Sequence, residues 1–339
     1  MGRFKLLVEL FDNFEQLGCI AKFRKRGKKM EQIPALIKEL STINEAIYKN
    51  REAQNKNIFT IKSEIIIQNI LASIINSSEF IKNNKGNILQ NMISIRFVFE
   101  GLITSMLLNE DEEYVFKLYY DLLSSERENI EYRKDQLEKE IKILESSTAK
   151  FSKNIAKTPE DILKQEEIEL ELFKEIIRDN IFIHTSYNDL YKNGLNYQIF
   201  CLKNKGISYY DNNLKELDDK EDKFFQDLKK HAKSFKNKSK EEIQNYFKKN
   251  RINWKKKAEQ VKLENEYNYI YRFSSSLSHF SGYSLLTSST YDPQEEEMIL
   301  TRLEIYLKKI KENINQYLKK HQLLPTATYT ILLPKKKEN

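Results

Sequence analysis

The chain has 339 residues, 40% hydrophobic and 12% aromatic, which is enough for a sizeable core and for about two domains of ordinary size. Eight Gly and five Pro exclude a turn-rich β architecture, and two Cys and four His in no ligand spacing leave no metal site and no cofactor to expect. The net charge of +7 is uneven: residues 229–257 hold twelve Lys or Arg against Glu241 and Glu242, a local +10, so the remainder is net −3.

The first residues, MGRFKLLVELFDNFEQ, place Glu9 and Asp12 where a secretory signal keeps an unbroken apolar run. No apolar stretch reaches the roughly 18 to 20 residues that cross a bilayer, so a cytoplasmic protein with no membrane partner is expected. Residues 1–60 read as an N-terminal helical segment with a basic cluster, 22-KFRKRGKK-29. Residues 61–82 read as a buried helix through Ile66, Ile70, Ile74 and Phe80, broken from Asn83 to Gly86. In 87–110 the positions Ile88, Met92, Ile95, Phe99, Leu102 and Met106 alternate steps of three and four and define one helical face. Arg96 falls in the row of Leu89, Ile93 and Ile103, which predicts a partly buried guanidinium with Glu100, one turn on, as its partner.

The helical pattern continues over 111–147 and becomes charged from Glu126. Ile130, Leu137, Ile141 and Leu144 leave a narrow apolar seam, as in a helical hairpin or coiled-coil arm. From Glu110 to Glu175 nineteen acids face eleven bases, and this acidic arm either repels a polyanion or pairs with the later basic stretch. Thr158-Pro159-Glu160-Asp161 opens a helix running to about 180, and Ser239-Lys-Glu-Glu242 is a second start signal. Asp292-Pro293 begins a long helix over 293–321 with Leu303, Tyr306, Ile310, Ile314 and Tyr317 on one face, and 325–339 reads as extended. The expectation is an all-α protein. Its helical bundle core comes from 61–125 and 239–321, with a charged helical-hairpin insertion over 126–238 and an extended basic tail over 322–339.

Two features carry chemistry. In the basic stretch, Lys248, Lys249, Arg251, Lys255, Lys256 and Lys257 surround Trp254, with Phe235, Tyr246 and Phe247 interleaved upstream. Cations beside flat rings engage phosphates and stack on unpaired bases, making RNA the candidate partner, although a solvated Lys-rich helix has the same composition. The second feature is 267-YNYIYRFSSSLSHFSGYSL-285. On a helix Arg272 and His279 are about 700° apart, so they share a face roughly 10.5 Å apart along the axis. Ser274, Ser275, Ser276 and Ser278 are small enough to let another helix or a ligand approach. The competing pair Arg178 and His184 in 178-RDNIFIH-184 diverges by about 120°. His231 and His321, each beside Lys, are expected at the surface.

The residues Trp254, Ala258-Glu259, Tyr267, Tyr271-Arg272, Ser275, His279 and Ser281, with Arg96 and Glu100 in the earlier helix, resemble the signature of a branch of the HEPN superfamily of helical domains. The resemblance covers about 60 residues of signature spread over a core of roughly 220. It implies a helical bundle, a homodimer in which two such helices line one groove, and metal-independent RNA cleavage by an Arg and a His, here Arg272 and His279. Arg96, Glu100, Tyr271 and Ser275 are then the supporting residues, and a partner protein from the same defence or toxin system is implied as well. Phe273 follows the Arg where active members commonly carry Asn, Asp or His. A non-catalytic nucleotide- or partner-binding protein, or a regulatory subunit, remains the alternative.

Overall fold

The computed structural model describes residues 32–51, 58–84, 87–111, 113–151, 174, 182–185, 194–278 and 293–324. The protein is all-α, with no strand among the described residues. In chain order the helices are α1 (Gln32–Arg51), α2 (Ile58–Asn83), α3 (Ile88–Glu110), α4 (Tyr114–Phe151) and α5 (Leu195–Cys201). A π turn (Leu202–Gly206) runs into α6 (Ile207–His231), and a 3₁₀ turn (Lys233–Phe235) precedes α7 (Lys240–Lys249), α8 (Trp254–Gln260), α9 (Glu264–Ser278) and α10 (Pro293–Lys320). The expected start signals that are described operate as read. Ser239 and Glu242 form a reciprocal capping box on α7, and α10 begins at Pro293. Of the helix expected over 159–180 only Lys174, which is helical, is described; the cluster 22–29 and the tail 325–339 lie outside the described residues.

The chain divides into two units, 1–115 with 251–339, and 116–250. In the first, α1 packs on α2, α2 on α3, α3 on α10 and α10 on α1, which closes a four-helix ring; α8 and α9 pack on α3. The sequence reading set residues 1–60 apart from the core, whereas α1 forms one wall of this ring through Ile33, Leu36, Ile37, Leu40, Ile43 and Ile47, all buried. On α3 the expected face is buried at Met92, Ile95, Phe99 and Leu102. On α10 all five expected positions are buried. On α2 the expected Ile66 and Ile74 are buried together with Ile67, Leu71 and Ile81, while the expected Ile70 and Phe80 are half-buried. This helix is apolar nearly all round, so periodicity alone does not choose its inner face. Contact with α3 chooses it: a Cβ at Gly101 would stand 2.7 Å from Ile74 Cδ1, so the helices meet closely there.

One helix among the described residues, Leu89–Glu110, is long and apolar enough to cross a membrane, contrary to the expectation that no stretch reaches that length. It is the bundle's central helix, with buried Asn91, Thr104 and Ser105 and the charged Arg96 and Glu100 along it, and with most of its surface covered by neighbouring helices.

The second unit is an antiparallel hairpin. Leu123, Leu137 and Leu144 of α4 are buried at seven-residue multiples, with half-buried Ile130 between them, as the narrow seam predicts. The returning helical segment of the hairpin, α5 through α6, buries Leu195, Leu202, Tyr210, Leu217 and Phe224. Those steps are seven, eight, seven and seven, and the π turn falls within the step of eight. There the Ile207 N–H bonds to Leu202 O, five residues back, so one turn takes up an extra residue. Gly206 sits against α4, where a Cβ would lie 3.0 Å from Leu137 Cδ2. Charges zip the edges: Arg127 bonds Asp218 at 2.5 Å and Glu221 at 3.1 Å, Lys134 bonds Asp211 at 2.7 Å, and Lys203 pairs with Glu145. The unit is wider than the expected 126–238, because Tyr119 and Tyr120 pack on Phe224 and Phe225, and Phe247 joins Tyr120 and Phe224.

Candidate functional site

Arg96 and Glu100 lie one turn apart on α3 and therefore project together. The Arg96 Nε donates to Glu100 Oε1 at 3.0 Å, as the i, i+4 spacing predicts, and the Tyr271 hydroxyl of α9 donates to the same oxygen. The Arg96 guanidinium carbon also stands 3.9 Å from the Tyr271 ring centre, and the Tyr267 ring stacks on Tyr271 at 4.1 Å. Burial works against the charge on Arg96, but its bonds to Glu100 and Tyr271 outweigh this and raise its pKa. Burial, then the bond to Glu100, pushes the Tyr271 phenol well above the usual tyrosine range. Tyr271 is thus a neutral hydrogen-bond donor at physiological pH, not a base. The side chain of Arg96 remains 36% exposed against 14% for Glu100, so the cluster opens to solvent on its Arg side.

Five residues earlier on α9, Glu266 builds a second cluster of the same design with α10. Arg302 Nε donates to Glu266 Oε1 at 2.9 Å, and the Tyr306 hydroxyl donates to the same oxygen. Arg302 lies 4.3 Å from the Tyr269 ring centre, and the Tyr306 ring meets Phe99 of α3 at 5.4 Å. Arg302 and Glu266 are nearly buried, at 11% and 10% exposure. Sequence reasoning placed Tyr306 on an apolar face and missed this cluster. The available signal was Arg302 and Tyr306 one turn apart, presenting a donor pair to an acid on another helix.

Between these anchors α9 is fixed to both α10 and α3. Arg272 follows Tyr271 by one residue, about 100° round the helix, and is exposed. Ser274 is buried and bonds back to Tyr271 O at 3.3 Å, and Ser275 is half-buried. His279 and Ser281 lie outside the described residues, as does Arg178. The His184 of the competing pair is held elsewhere. Its backbone N–H and that of Ile183 donate to the buried Glu140, its Nε2 stands 3.2 Å from Arg133 O, and its ring meets Tyr210 edge-on. His321 is half-buried with its ring 4.4 Å from Tyr317, and so is not the exposed side chain expected from its Lys neighbour.

The basic stretch is divided between the units. Lys248 and Lys249 end α7 in the second, while Arg251, Trp254, Lys255, Lys256 and Lys257 belong to the first. Lys248, Lys249, Arg251, Lys255 and Lys256 are exposed; Trp254 is half-buried with Lys257 Nζ 4.5 Å from its ring. Lys255 stands near Glu259 and Glu264, at 3.8 and 3.7 Å. The expected stacking role of the upstream rings fails. Phe235 and Phe247 are buried, and Tyr246 is half-buried against both rings. Their apolar burial as a core layer outweighs any interleaving with charge.

Titration of the two phenols gives a stability signature. Burial holds Tyr306 well above the ordinary value near 10, and Tyr271 is raised for the same first cause. A phenol raised in the folded state contributes stability that is complete below the unfolded value and is lost as pH rises past it toward the folded value. Urea unfolding is therefore expected to give constant stability from pH 8 to about 10 and a decline above, shallower in Tyr306→Phe. An unchanged slope in that variant would remove Tyr306 as a cause.

In comparisons with known proteins, no family model, no curated protein and no solved structure matches the chain.

Proposed function

We propose that this protein is an RNA-cleaving effector of HEPN type, acting as a toxin or in antiviral defence, with Arg272 and His279 as its working pair in a groove between two copies. The observation that carries the reading is Arg272 itself: an exposed guanidinium on a helix anchored on both sides by Arg–Glu–Tyr clusters. Cleavage without metal requires a group to take the 2′-OH proton and a fixed cation for the charge developing on the phosphate. His279 takes the proton and Arg272 meets the phosphate. The 2′ oxygen then attacks phosphorus, the bond to the 5′ oxygen breaks as that oxygen takes a proton from protonated His279 and leaves as a 5′-hydroxyl, and a 2′,3′-cyclic phosphate remains. Glu100, Arg96 and Tyr271 act as positioning residues because their mutual bonds hold the Arg272 segment against α3.

The test is incubation of purified protein with single-stranded RNA in EDTA. Shortened products ending in cyclic phosphate are expected, and intact RNA overturns cleavage. A second reading, non-catalytic recognition of a nucleotide or partner by the same face, draws on the partly open stack of Tyr267, Tyr271 and Arg96. Intact RNA together with saturable nucleotide binding selects it.

The exposed cations of α8, Lys255 and Lys256, fit the polyanion in either reading. Replacing Lys255, Lys256 and Lys257 together by Glu is expected to weaken RNA binding at least about tenfold at 0.1 M salt and to flatten its salt dependence by about two to three phosphate contacts. An unchanged slope identifies these lysines as a solvated face.

A further inference from the structure

The π turn in the second unit has two effects on side-chain direction. It keeps Leu202 and Tyr210 in one buried row although they are eight residues apart. It also turns the far side of the same helix. In an unbroken α-helix Phe200 and Tyr209 would point in opposite directions, nine residues being about 900°. With one residue absorbed by the wide turn they fall about 80° apart, and Tyr197 lies within the same arc. These three rings are among the most exposed large hydrophobic side chains of the described residues, at 53% for Tyr197, 59% for Phe200 and 61% for Tyr209. The Tyr209 ring is braced edge-on by buried Tyr210 at 5.3 Å, so its direction is set before any ligand arrives.

The chemistry around the row is specific. From Gly194 to Tyr210 there is no acidic residue, in an arm whose other segments are rich in acids. Exposed Asn204 and Lys205 lie between Phe200 and Tyr209, and Lys203 is tied to Glu145. Lys205 makes no ion pair among the described residues. Exposed flat rings with an exposed cation between them are what unpaired bases and their phosphates require. The row spans twelve residue steps, about 18 Å along the axis, the length of roughly three extended nucleotides.

We propose that Tyr197, Phe200 and Tyr209 form a stacking platform for single-stranded RNA, with Lys205 on its backbone. The choice of RNA rests on the functional reading above; the platform itself does not depend on cleavage. The test is binding of a fluorescein-labelled 12-nucleotide single-stranded RNA and of its duplex, in EDTA, to full-length protein carrying Arg272→Ala so that turnover does not intrude. The single strand is expected to bind more tightly than the duplex. Tyr197→Ala, Phe200→Ala and Tyr209→Ala together are expected to weaken single-strand binding at least about 30-fold, and Lys205→Ala to lower the salt slope by about one contact, with far-UV dichroism unchanged.

If dichroism of the triple variant falls, Tyr197→Ser and Tyr209→Ser singly, each expected to lose about tenfold, decide the matter. Unchanged single-strand affinity in folded variants overturns the proposal, as does loss of a co-purifying protein with RNA affinity intact, which assigns the row to a protein partner. Cleavage is scored separately with Arg272 restored. RNA binding lost in the ring variants while wild-type protein cleaves nothing supports the platform and rejects the nuclease reading.

Discussion

Replacing Arg272 by Ala is expected to lower RNA cleavage by about 10²- to 10³-fold, and replacing His279 by Ala by about 10²- to 10⁴-fold, with melting temperatures unchanged. The two figures follow from the proposed roles, a fixed cation for developing charge and a proton acceptor. The structural reason to expect an unchanged fold applies to Arg272, which is exposed on a helix whose attachments run through Glu266 and Tyr271. Arg96→Ala differs in kind: it removes a donor from Glu100 and a cation from the Tyr271 ring, so it is expected to lower the melting temperature as well as the rate. His184→Ala is expected to leave cleavage unchanged. Full activity in His279→Ala would remove this residue from the mechanism, and insoluble His279→Ala protein would assign the ring to packing.

The largest loss of stability is expected at Arg302→Met, about 3 to 5 kcal/mol in urea unfolding. The substitution keeps the apolar volume near Tyr269 but leaves Glu266 with the Tyr306 hydroxyl and no cation, at a site where both partners are nearly buried. An uncompensated carboxylate there is far costlier than the pair is favourable, because water cannot reach it. Adding Glu266→Gln to the same chain is expected to recover part of the loss, since an amide carries no charge to leave stranded. If the double variant is no more stable than the single, the loss comes from packing and not from the isolated charge. Against a typical total of about 5 to 15 kcal/mol, the single change is enough to unfold a marginal protein.

How much of this was legible depended on the range of the interaction. The Arg96–Glu100 pair, the α4 seam and the inner face of α10 are read directly, because spacing within one helix decides them. The Tyr271–Glu100 bond joins residues 171 apart in the chain, and the Glu266–Arg302 bond joins residues 36 apart, so periodicity says nothing about either. Phe235 and Phe247 misled for a related reason. Their neighbours in the chain are lysines, but their neighbours in space are Tyr120, Tyr246 and Phe224, supplied by distant helices and by the same one. The π turn could have been read from the buried positions only by allowing one step of eight among sevens, which a fixed-period search rejects.

The four-helix ring has a consequence for the order of events on the ribosome. Its first three walls are made by Glu110, but the fourth is α10, and α10 is complete only at Lys320. At about 5 to 20 residues per second the intervening 210 residues occupy roughly 10 to 40 s of synthesis. The hairpin over 116–250 has its whole sequence available 70 residues before α10 is complete, while the inner faces of α1 and α3 still wait for their last neighbour. The partner of Glu266 on α10 is also still missing. A nascent chain therefore cannot present Arg272 in its fully anchored form before α10 is made. Translation itself delays assembly of the proposed site until α10 has been synthesised.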